Sequence, residues 1–100
     1  MIRHVVMFSL SSAPEDKAAD IARLAEPLEA LVGVVPGLRS LTVSPDLGIK
    51  DGNWDCVLVS EHDDREALAV YADHPAHIEA GTIVRSLMTG RATVDSEHAD

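Results

Sequence analysis

Two stretches of this chain are apolar on both of their alternating faces. In the first, residues 3–10, one face reads His4, Val6, Phe8 and Leu10, and the other Val5, Met7 and Ser9. In the second, residues 54–60, the run Trp-Asp-Cys-Val-Leu-Val-Ser keeps apolar residues at its central positions on both faces. A strand with one side in water alternates apolar with polar residues, whereas a strand covered on both sides does not. Any fold for this chain must therefore cover both sides of these two strands. Its 100 residues make one domain, which leaves little chain for a second covering layer.

The segments between supply the rest of the architecture. Ser12-Ala-Pro14-Glu15 reads as a helix start, with Ser12 as cap, Glu15 reaching back and Pro14 in the first turn. The helix that follows carries Ile21, Leu24, Ala25, Leu28, Leu31 and Val32 on one stripe. Pro27 should kink it, and Gly33 should stop it ahead of the Pro36-Gly37 turn. Residues 38–43 form a second strand with mixed faces, and 45–53 form a loop rich in turn residues. Asp63 and Glu66 read as the capping pair of a second helix, ended at His74 by Pro75. A further helical segment spans about residues 76–85, and a last strand spans 87–95, interrupted by Gly90. The polar, acidic end, residues 96–100, reads as a frayed tail.

The order is βαββαβ. In one domain this is an α+β, ferredoxin-like arrangement: a four-stranded antiparallel sheet with helices on one face. The helices cannot cover the other face. A second copy of the sheet is the economical cover, so a homodimer with its sheets face to face is expected.

Charge and composition exclude several functions. The net charge of −9 disfavours nucleic acid and anionic membrane surfaces, since phosphate neutralisation needs clustered Lys and Arg. The one cysteine, Cys56, cannot form an internal disulfide or a thiolate metal site and reads as a small buried hydrophobe. No signal peptide and no run of about 20 apolar residues is evident, so a cytoplasmic protein is expected.

Chemistry concentrates in Tyr71-Ala-Asp-His74-Pro75-Ala-His77, with a further imidazole, His4, in the first strand. Histidine titrates closest to neutrality, so these residues could transfer protons around a pocket. They read equally well as structural groups with satisfied hydrogen bonds. His74 precedes proline and suits the turn. Pro75 spoils the shared helical face that a His74–His77 metal pair would want, and no metal site is expected. His62 and His98 read as surface residues, and Trp54 as a packing residue.

The opening Met-Ile-Arg-His4-Val-Val-Met-Phe, the Pro36-Gly37-Leu38 turn, Tyr71 with His74-Pro75-Ala76-His77, and the closing Arg91-Ala-Thr-Val-Asp95 together resemble the stress-responsive A/B barrel domain family. The resemblance spans residues 1–95 and implies a dimeric α/β barrel with a cavity between sheet and helices. A characterised plant polyketide cyclase of that family is similar at three positions. By that likeness His77 would be the base of an aldol ring closure, Tyr71 a hydrogen-bond donor to the carbonyl that gains charge, and His4 an orienting group, without metal or cofactor. The chemistry is reasonable, because a carbon flanked by two carbonyls is acidic enough for a neutral imidazole to deprotonate. Ala80, Gly81, Ile83 and Val84 would give the cavity a small or aliphatic wall. The ligand implied is a small, partly apolar carbonyl compound. Two other readings stand beside it: a non-catalytic stress or structural dimer, and, through Asn53 and Trp54, a cofactor-free oxygenase or haem-binding relative.

Overall fold

The computed structural model describes residues 1–99. Four strands form one antiparallel sheet: β1 (Ile2–Leu10), β2 (Leu38–Pro45), β3 (Cys56–His62) and β4 (Met88–Glu97). Their spatial order is β2-β3-β1-β4, which puts the two doubly apolar strands at the centre. The helices are α1 (Lys17–Glu29), entered through a 3₁₀ turn at Pro14–Asp16, then α2 (Arg65–Asp73), α3 (Pro75–Ala80) and α4 (Thr82–Leu87). The fold is ferredoxin-like and α+β.

The register assigns every side chain to a face. In β1, Ile2, Val6, Phe8 and Leu10 are buried beneath the helices, and in β3 so are Cys56, Leu58, Ser60 and His62. Ile21, Leu24 and Leu28 of α1 and Tyr71 of α2 close the core from above. Each fully buried aliphatic side chain there contributes about 1.5–3 kcal/mol relative to exposure. Burial also pushes the Cys56 thiol up to about 11, with the Asp55 charge adding to it. The thiol is therefore a packing group, as its apolar setting suggested.

The opposite face tells a different story. Val5 lies between Val59 and Val94, and Met7 between Val57 and Ala92, each set directly opposed across the ladder. No helix covers them: Val94 is 66% exposed and Met7 38%. An Arg3–Glu61 ion pair at 2.8 Å and the serines of β2 border this apolar patch.

Several local expectations are corrected. Ser12 does not cap a helix; its hydroxyl donates to the Asp20 carboxylate at 2.6 Å and holds that carboxyl below its ordinary range. Asp64, not Asp63, caps α2, accepting the Ala67 N–H at 2.8 Å. Asp63 is held elsewhere, its N–H on Gly37 O and its carboxylate on Arg39. The Gly37 turn is confined to glycine for two reasons. Its φ is +80°, and a Cβ there would stand 2.6 Å from the Cβ of Ala67. Val32, assigned to the apolar stripe of α1, is 40% exposed. The expected segment after Pro75 is two short helices hinged at Gly81.

The largest correction concerns β3. It runs two residues beyond the expected end, and this carries His62 into the interior with no exposure at all. The same thing happens at the end of the chain. Ser96 and Glu97 continue β4 opposite Arg3 and Ile2, and His98 exchanges backbone hydrogen bonds with Met1. The side chain of His98 is half-buried against Glu61 at 2.8 Å rather than free on the surface. Of the expected tail, Asp100 lies outside the described residues.

Candidate functional site

The helices lie mainly over β2 and β3. On their side of the sheet, β4 presents Arg91, Thr93 and Asp95 opposite Phe8, Val6 and His4. These three residues are exposed because no helix packs down on that edge strand. The space between β1, β4 and the three C-terminal helices is a cavity of about 450 Å³. That volume lies within the range of small-molecule pockets. Its lining is largely aliphatic (Val6, Leu28, Leu58, Leu68, Val84), with His4, Tyr71, His77, Arg85, Arg91 and Asp95 as its polar groups.

All three residues singled out from the sequence reach this cavity. Tyr71 comes from the inner face of α2. His74 caps α3, its Nδ1 accepting the Ala76 N–H at 3.0 Å, and so sets the path of the chain that carries His77. The rings of Tyr71 and His77 are tilted by 31° to one another, with centroids 4.1 Å apart. His4 enters from β1, and its ring centroid is 6.0 Å from that of Tyr71.

The hydrogen bonds fix the imidazole tautomers. His77 Nδ1 faces the carbonyl of Ala72 at 3.3 Å. A carbonyl can only accept, so Nδ1 carries the proton and Nε2 keeps a bare lone pair. Burial lowers the His77 pKa, and the positive charges of His4, Arg85 and Arg91 add to that effect against the Ala72 bond. His77 is thus a neutral base at neutral pH. His4 Nδ1 is 2.5 Å from Asp95 Oδ1, which likewise makes Nδ1 the donor. Burial pushes the Tyr71 phenol up to about 12, so it remains a donor. Tyr71 is only 2% exposed, yet its hydroxyl bonds to no described residue.

Sequence reasoning missed two members of this cluster. His62 packs edge-on to Tyr71, centroids 4.8 Å apart, and shares a hydrogen bond with Ser60 Oγ at 2.8 Å through Nε2. Its Nδ1 is buried without a hydrogen-bond partner among the described residues. Burial lowers its pKa, and the neighbouring His4 charge lowers it further. The alternation Cys56, Leu58, Ser60 would have assigned His62 to the inner face had the strand been extended by one step. Asp95 was legible only as a charge in the last strand; the β1–β4 register puts it beside His4.

Asn53 and Trp54, which had invited the oxygenase comparison, lie elsewhere. They border a separate hollow with Met7 and Val57, on the sheet face turned away from the helices. Trp54 packs its ring over Gly90.

Comparison with known proteins agrees with this fold. Residues 2–98 match the family model described as Stress responsive A/B Barrel Domain. An uncharacterised protein of Streptomyces coelicolor is 29% identical over 89 residues, 89% of this chain and 92% of its own length. A dimeric protein of unknown function with a ferredoxin-like fold, from Bacteroides fragilis, is 31% identical. It superimposes with a TM-score of 0.84, covering 97% of this chain and 95% of its own. A cofactor-independent oxygenase from Streptomyces nogalater shares the fold at 20% identity and a TM-score of 0.70, covering 99% of this chain and 93% of its own. At that identity the likeness concerns fold alone. No helix among the described residues is long and apolar enough to cross a membrane.

Proposed function

The chain belongs to the stress responsive A/B barrel domain family, and on that premise we propose that it binds a small, partly apolar carbonyl compound in the helix–sheet cavity and removes a proton from it. His77 Nε2 takes the proton from a carbon flanked by two carbonyls. The electron pair moves onto one carbonyl oxygen as the enolate forms, and the Tyr71 O–H donates to that oxygen. The enolate carbon can then close on a second carbonyl of the same molecule, an aldol step like that of a polyketide cyclase, and the His77 imidazolium returns its proton to the alkoxide that forms. His4, held by Asp95, orients the substrate. Every group needed for the proton transfer is a side chain of this protein.

One observation carries this reading. Tyr71 and His77 lie side by side on the wall of an open cavity, and the Tyr71 hydroxyl is not spent on any described residue. A merely structural cluster would have a filled core and paired polar atoms, because a buried polar group left unpaired costs about 1–3 kcal/mol. The test is calorimetric titration with benzoylacetone, a small β-diketone. Tyr71→Phe is expected to weaken binding about tenfold, the loss of one hydrogen bond to a developing charge, with the thermal midpoint little changed. Equal affinity in both proteins, or no binding to either, would leave the non-catalytic dimer as the better reading.

The same proposal includes the partner. The apolar patch of Val5, Met7, Val57, Val59, Ala92 and Val94 suits a second copy of itself, packed sheet to sheet about two-fold symmetry. The Bacteroides fragilis relative is described as dimeric.

A further inference from the structure

The chain carries 17 acidic residues against 8 Lys and Arg, so a basic side chain without a carboxylate partner is unexpected. Arg3, Lys17, Arg23, Arg39 and Arg65 each meet one. Arg85, Arg91 and the exposed loop residue Lys50 do not, among the described residues. Arg85 donates to the carbonyl of Ile78 at 2.7 Å and to Thr82 Oγ1 at 3.3 Å. Arg91 donates to Thr93 Oγ1 at 2.9 Å. Both line the same cavity, one from α4 and the other from β4.

Their placement is supported locally. Gly81 lies under the Arg85 guanidinium: a Cβ there would stand 2.8 Å from its Nη1. Any larger residue would push that group out of its position. Arg91 is four residues along β4 from Asp95, roughly 13 Å at the usual strand rise. Asp95, the carboxylate of the cavity, is in turn engaged by His4. The cavity is therefore polarised, with a His4–Asp95 pair at one end of the β4 wall and guanidinium charge at the other. Both guanidiniums act electrostatically on His77, and Arg91 acts on Tyr71.

We infer that the natural ligand is an anion, a keto acid whose carboxylate is held by Arg91 and Arg85 while its carbonyl lies against Tyr71 and His77. A guanidinium is built for a carboxylate: planar, permanently charged and able to donate two parallel hydrogen bonds. This inference rests on the carbonyl-binding reading above and adds the charge of the ligand to it.

The test compares two probes on the intact protein: benzoylpropionate, which has a ring, a ketone and a carboxylate, and its primary amide, which has the same shape without the charge. The wild type is expected to bind the acid about tenfold or more tightly than the amide, the margin of a charge-assisted hydrogen bond. Arg91→Gln and Arg85→Gln should each remove most of that preference, while an unchanged thermal midpoint reports that the variants are folded. Gly81→Ala should lower acid affinity in the same direction by displacing Arg85. Equal binding of acid and amide by the wild type, with Tyr71→Phe weakening both, would overturn the anion assignment and leave the carbonyl pocket standing. Binding of neither probe, with no response from Tyr71, His77 or His4, would overturn both.

Discussion

His77→Gln lowers deuterium incorporation into the central carbon of benzoylacetone by ~10²–10⁴-fold, to the rate seen without protein. Glutamine keeps much of the imidazole's volume and can still hydrogen-bond the Ala72 carbonyl, so the local fold survives while the basic nitrogen is lost. The size of the effect is that of general-base catalysis, because the base is the one group that accepts the proton. The pH profile follows from the same site. His77 acts in its neutral form, and burial holds its pKa below the ordinary 6.5. The rate therefore rises with pH through that lowered value and is already level at neutrality. The Tyr71 phenol adds no break of its own near neutrality, because burial postpones its ionisation to about 12. An exchange rate unaffected by His77→Gln, or one that falls as pH rises through the acid limb, would remove His77 from the role of base.

The second large effect concerns assembly. Val59→Asp is expected to convert the proposed homodimer to monomer in sedimentation or light scattering, with association weakened by at least about 10³-fold. Val59 stands opposite both Val5 and Thr42 on the open face. A carboxylate there would be buried unpaired against the partner sheet, which costs several kcal/mol. The core lies on the other side of β3, so the protomer itself keeps Leu58, Cys56 and their contacts. Val59→Thr, which exchanges a methyl for a hydroxyl without charge, should dissociate far less. A wild type that is already monomeric, or a Val59→Asp variant that stays dimeric, would exclude the sheet-to-sheet interface.

The fold was legible because its determinants are patterns. Two strands apolar on both faces had to be central, and the helical stripe of Ile21, Leu24, Leu28 and Leu31 had to face them. His4, Tyr71 and His77 were legible because their residue types are rare in a chain so poor in aromatics, and because Pro75 localised two of them at a helix break. What could not be read depends on competition between neighbours. Asp63 and Asp64 are both good caps, and tertiary contacts decided between them: Gly37 and Arg39 hold Asp63, so Asp64 caps. The inward position of His62 depends on where β3 stops. A polar Ser-Glu-His run looks like the start of a loop, yet Ile2, Leu38 and Ser60 give it partners inside the sheet. The role of Asp95 depends on strand register, which no local pattern encodes. The guanidiniums at the cavity could be recognised only after the other arginines had been matched with carboxylates.

The measurement that bears most directly on the carbonyl-binding site is the imidazole nitrogen spectrum of the wild type by NMR near neutral pH, taken without and with benzoylacetone. His77 should be neutral, protonated on Nδ1, and its Nε2 signal should shift on ligand addition, while His62, buried behind Tyr71, stays neutral throughout. A His77 that is protonated on both nitrogens at neutral pH, or whose Nε2 does not respond to ligand, would contradict a proton-accepting cavity and leave the histidines as structural pins of the helix break.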